Sequence, residues 1–101
     1  MKTIMKVEIE PVYTETLPDV KEMEERKIYI SKEFHTSGHR CLCGCGELTI
    51  LPFDLVINGQ DMGWKLIEHE SGKISFTPSV GNYQIPCKSH YIITKNVANF
   101  V

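Results

Sequence analysis

Residues 41–46 read Cys41-Leu42-Cys43-Gly44-Cys45-Gly46, which places three of the chain's four cysteines inside five positions. Zinc prefers thiolate and imidazole ligands in a tetrahedron, and structural sites commonly draw two ligands from each of two tight turns. The glycines permit the positive φ angles that let backbone wrap closely around an ion. A second turn, Cys87-Lys88-Ser89-His90, presents sulfur and nitrogen at a Cys-x-x-His spacing, with Pro86 stiffening the approach. Cys41, Cys43, Cys45, Cys87 and His90 are therefore five candidate ligands for four positions around one zinc ion, and counting removes none of them. If all four cysteines bind, His90 is released for chemistry. The long interval between the turns suits loops at one end of a sheet. Idle buried thiols are a poor alternative, because a glycine-interleaved run is not how a core is written. A Rieske-type iron–sulfur site needs two histidines, and His39 joins only by distorting the spacing.

The rest of the chain reads as strands around that cluster. Ile4 to Val12 partly alternates with Lys6, Glu8 and Glu10, and Pro11 marks an edge or an end. The acidic window Leu17 to Arg26 supports one short helical turn after Pro18 and otherwise a connection. Lys27 to Ser31 alternates around Ile28 and Ile30, and Glu47 to Phe53 carries Leu48, Ile50 and Leu51. Asn58-Gly59 and Ser71-Gly72 are turn dipeptides, followed by expected strands at Trp64 to Glu68 and Lys73 to Thr77. His90 to Thr94, a turn at Lys95-Asn96 and Val97 to Phe100 close the chain. Many short strands and no convincing amphipathic helix predict a mainly β fold over residues 1–101. It is expected as a single-domain small antiparallel sheet, sandwich or partly open barrel organised around one zinc site.

Composition narrows the function classes. The 101 residues are 42% hydrophobic and 24% charged, ordinary values for a globular domain. At this length a structural ion adds useful stability. Net charge is −2, and the eleven Lys and Arg residues are scattered singly, so no basic stripe offers a footprint for nucleic acid. No apolar run approaches a membrane span, and the N-terminal ten residues lack the apolar stretch of a signal peptide. The expected compartment is the reducing cytoplasm, where cysteines serve as ligands or catalytic thiols.

Among hydroxyls, Ser79 sits between Pro78 and Gly81 in what reads as a turn, a candidate nucleophile whose ordinary alternative is a turn serine bonded to local backbone. Ser89 adjoins His90, but neighbouring side chains on an extended chain point apart. Glu47, Glu68, His69 and Glu70 are candidate bases, more often simply solvated charges. His39 reads as a group near a ligand, His35 as a surface residue and Trp64 as cover for a sheet face.

From about residue 27 onward the chain resembles a small bacterial family. The motifs in order are Cys41-Leu42-Cys43-Gly44-Cys45-Gly46, Trp64, Ile74-Ser75-Phe76-Thr77-Pro78-Ser79-Val80-Gly81 and Cys87-Lys88-Ser89-His90-Tyr91. Phe76 replaces the family's usual leucine and Val80 its isoleucine, apolar for apolar. Members are encoded beside bacterial ubiquitin-like proteins and their activating and conjugating enzymes, and look like zinc-bound peptidases that trim or remove the modifier. The resemblance implies that Cys41, Cys43, Cys45, Cys87 and His90 form the metal region, and that Ser79 and Ser89 are the hydroxyls to test. It leaves two catalytic routes: water on an open zinc position, or Ser79 with His90 as base beside a zinc closed by four cysteines. A thiolate-rich site tilts towards the second. The non-enzymatic expectation is a zinc-stabilised module that docks a ubiquitin-like protein or its conjugating enzyme.

Overall fold

A computed structural model of the chain describes residues 6–81 and 90–100. In chain order its strands are β1 (Lys6–Glu8), β2 (Glu10–Tyr13), β3 (Lys27–Ser31), β4 (Thr36–Arg40), β5 (Leu48–Pro52), β6 (Leu55–Ile57), β7 (Gln60–Met62), β8 (Lys65–Glu68), β9 (Ile74–Gly81), β10 (His90–Thr94) and β11 (Val97–Phe100). They form a five-stranded sheet ordered β1-β11-β10-β9-β8, a four-stranded sheet ordered β2-β3-β4-β5, and the hairpin β6-β7. The fold is mainly β, as the strand spacing predicts. The helical element among the described residues is one 3-10 turn, Val20–Glu22, inside the window expected for it. No helix among those residues is long and apolar enough to cross a membrane.

The two large sheets share one core. Ile28, Ile30 and Leu51 from the four-stranded sheet cluster with Ile74, Phe76, Val80, Tyr91 and Ile93 from the five-stranded sheet. Phe53, just past β5, meets Phe76 edge-on at 6.3 Å between ring centroids. Burying a side chain of this size stabilises by about 1.5–3 kcal/mol relative to leaving it in water, so this shared layer holds the sheets together.

Several local readings change in the structure. The N-terminal strand is two strands, one in each sheet, with buried Ile9 at the crossing. Its backbone N–H donates to the Asn96 carbonyl, and the next N–H, of Glu10, donates to Arg26 across the gap. β2, carrying Pro11, lies at a sheet edge and runs parallel to β3. This departs from the all-antiparallel expectation, and the 14–26 connection supplies the crossover length that parallel pairing needs.

That connection also covers the outer face of the four-stranded sheet, so Tyr29 and Ser31 are buried as well as Ile28 and Ile30. Ser31 Oγ donates to the Glu15 carbonyl at 2.7 Å, Tyr29 Oη accepts from the Glu24 N–H at 2.9 Å, and Arg40 Nε donates to the Val20 carbonyl at 3.1 Å. In β5 the inward residues are Thr49 and Leu51, while Leu48 and Ile50 face out at 41% and 43% exposure.

The turn dipeptides fall where expected. Asn58 and Gly59 take φ of 51° and 77° and close the two-residue hairpin between β6 and β7. The chain then passes Gly63, at φ 78°, where an added Cβ would lie 2.6 Å from the Pro52 carbonyl oxygen. That oxygen accepts from the Trp64 N–H at 2.8 Å, so the close approach is what seats Trp64. Gly63→Ala is therefore expected to destabilise by about 1–3 kcal/mol, measured as a melting temperature lowered by several degrees.

Candidate active site and thiolate cluster

β9 and β10 pair His90 with Gly81 and Tyr91 with Val80, and the next paired residues are Ile93 and Phe76. Between those pairs β10 has Ile92 alone, while β9 has Thr77, Pro78 and Ser79. All four flanking side chains, Phe76, Val80, Tyr91 and Ile93, are buried in the core. The surplus of β9 is thus pushed outward as a bulge, a device that re-aims side chains beside functional sites. Ser79, read from sequence as a turn residue, lies in this bulge within a strand. Because Val80 and Tyr91 point inward, Ser79 and His90, each one residue away, share the outer face.

There Ser79 Oγ and His90 Nε2 are hydrogen-bonded at 2.6 Å, both groups half-buried. The Ser79 carbonyl accepts from Trp64 Nε1 at 3.2 Å, so a side chain takes up a backbone acceptor in the irregular stretch. Trp64 itself packs partly buried against the core, as a cover for the sheet.

A second serine–histidine contact shows what distinguishes the first. His69 Nε2 and Ser75 Oγ are 2.8 Å apart, but Ser75 is buried and its Oγ also accepts from the Lys95 N–H at 2.9 Å. That hydroxyl holds the β10–β11 turn. Glu68 is engaged by Tyr13 Oη and by Lys32 Nζ, each at 2.9 Å, and Glu47 and Glu70 are exposed. Among the candidate bases of the sequence, then, none of these is paired with Ser79.

The cysteine run is the turn between β4 and β5. Cys41 N–H donates to Glu47 at 2.7 Å and Gly44 N–H to Cys41 at 3.1 Å, with Gly44 and Gly46 at φ 95° and 82°. The sulfurs of Cys41, Cys43 and Cys45 all lie within 4.8 Å of one another, Cys41 and Cys43 at 3.3 Å. Three thiols at this spacing fit one metal ion. Among the described residues His90 is not part of that sulfur group; Cys87 and Ser89 lie outside the described residues.

His39, two residues before Cys41, is fully buried, and its Nε2 is hydrogen-bonded to Tyr91 Oη at 2.7 Å. Burial pushes its imidazole down to about 4, so it is neutral. This contact joins the strand that leads into the cysteine turn to the residue after His90. The residue types alone held no sign of it, since a Thr-Ser-Gly-His-Arg stretch does not read as a strand.

A family model described as the bacterial ubiquitination-like system serine protease (BubE) matches residues 13–101. The chain belongs to the BubE family. The resemblance drawn from its motifs is thereby established, and with it a general place among proteases of bacterial ubiquitination-like systems. Comparison with curated proteins and with solved structures gives no match.

Within this BubE chain the two serines are expected to behave differently. Ser75→Ala strands the Lys95 N–H and His69, at a cost of about 1 kcal/mol or more, and a drop of roughly 4–8 °C per kcal/mol is expected in thermal melts. Ser79→Ala is expected to melt with the parent.

Proposed function

We propose that the chain is a serine peptidase that hydrolyses the bond after the C-terminus of a ubiquitin-like modifier, with Ser79 as nucleophile and His90 as general base. The observation that carries this reading is the 2.6 Å contact between Ser79 Oγ and His90 Nε2 on an accessible sheet face. It has the geometry of an activated hydroxyl. With Nε2 unprotonated, His90 takes the Ser79 proton as Oγ attacks the scissile carbonyl. The imidazolium then gives that proton to the departing amine, leaving an ester on Ser79. Water, deprotonated by the same nitrogen, releases the modifier's carboxylate and restores the serine. The family's setting supports a ubiquitin-like partner, and the modifier's activating or conjugating enzymes are further partners in this reading.

The cysteine turn has a separate role. Cys41, Cys43, Cys45 and Cys87 hold zinc as a closed thiolate site, which leaves His90 to the serine. Three of these four thiols already lie within 4.8 Å of one another in the β4–β5 turn, which supports the reading; Cys87, the fourth, lies outside the described residues. An ion bound there supplies folding energy, because the ligands come together only in the native state. In this reading the chain works in the cytoplasm as one zinc-braced β domain.

The decisive experiment incubates the purified chain with a modifier precursor and reads intact mass. Ser79→Ala and His90→Ala are each expected to lower turnover by several powers of ten while bound metal and melting temperature stay with the parent. Full activity in Ser79→Ala would refute the serine route, and loss of metal in His90→Ala would return His90 to the ligand set. Cys43→Ser is expected to show the opposite pattern, with metal lost and the melt lowered.

A further inference from the structure

Beside the bulge lies a groove of about 450 Å³, lined by Leu55, Val56, Trp64, Lys65, Thr77 and Pro78 among others. Thr77 and Pro78 immediately precede Ser79, and Trp64 donates to the Ser79 carbonyl, so the groove lies next to the proposed nucleophile. Its volume is in the range of sites that bury small ligands or side chains. Two of its lining residues, Leu55 and Val56, belong to β6, whose whole sequence, Leu55-Val56-Ile57, is apolar and exposed, Val56 at 62%. Three consecutive exposed apolar residues are unusual on a protein surface and are the kind of patch that partners cover.

We infer that this groove is the acyl-side subsite and takes an extended peptide with an aliphatic side chain shortly before the scissile bond. The inference rests on Ser79 being the nucleophile. An enzyme that frees one modifier from many targets meets a constant acyl side and a variable leaving side. Selectivity therefore has to be read from contacts made before the bond. The groove beside the Ser79 bulge supplies them, lined by Trp64 and Pro78 together with the aliphatic Leu55 and Val56. Val56 is then a specificity-determining residue.

A fluorophosphonate probe tests both levels in the full chain, since it reacts with an activated serine without needing the groove. Product-like peptides with a free C-terminal carboxylate compete with it, carrying leucine or aspartate at the third residue from the end. Each labelling rate is taken relative to the same protein without peptide. The leucine peptide is expected to protect Ser79 at a concentration about ten-fold below the aspartate peptide. Val56→Asp is expected to erase that preference, and Val56→Lys to reverse it. Equal protection by both peptides in the parent, or an unchanged preference in Val56→Asp, would overturn the groove while leaving labelled Ser79 intact. A parent chain that dimerises in sedimentation, with Val56→Asp monomeric and peptide preference unchanged, would assign β6 to a second copy and overturn it as well. No labelling at Ser79 would remove the nucleophile and the subsite together.

Discussion

Phe76 and Val80 both face the core, opposite Ile93 and Tyr91, and the two strands reach between these pairs with unequal lengths of chain. The core cannot give way, because close-packed interiors tolerate neither voids nor rotated side chains cheaply. The excess of β9 therefore leaves the sheet on its solvent side and carries Ser79 towards His90. The serine–histidine contact is thus a consequence of core packing one residue away on each strand. A substitution that shrank Phe76 or Val80 would act on the outer face by letting the bulge relax inward.

The same alternation in β10 connects the two sheets. His90 points out to Ser79, and Tyr91 points in, where its hydroxyl meets His39 of the opposing sheet. His39 Nδ1 is buried with no hydrogen-bond partner among the described residues. A polar atom left that way costs about 1–3 kcal/mol, so the pairing at Nε2 is kept at a net expense elsewhere in the ring. What it secures is position. Cys41 follows His39 by two residues and so continues the same strand face into the cysteine turn.

The sequence was legible where local chemistry decides structure. Asn58-Gly59, Ser71-Gly72 and Lys95-Asn96 each turn the chain because their side chains tolerate or require local bends, and β3, β8, β10 and β11 follow from alternation. β4 was not legible: Thr36 to Arg40 has no apolar residue, and its burial comes from the 14–26 connection above and from Tyr91 below. The parallel pairing of β2 and the sheet change at Ile9 were equally invisible, being set by contacts distant in sequence. For the candidate site, the cysteine run announced its proximity through spacing. His90 was legible as a partner for Ser79 only as one of two routes, the other making it a metal ligand. Cys-x-x-His describes what neighbours it in the chain, whereas Ser79 reaches it across a strand pair whose bulge only the core explains.

The layout separates two chemistries that a sequence places side by side. The cysteine turn belongs to the β4–β5 hairpin of one sheet, and the hydroxyl and imidazole stand on the outer face of the other. An imidazole nitrogen hydrogen-bonded to a serine, as donor or as acceptor, is occupied by that contact and does not at the same time ligate a metal. On this geometry the three clustered thiols and the Ser79–His90 pair are separate groups, joined through the core by the His39–Tyr91 hydrogen bond.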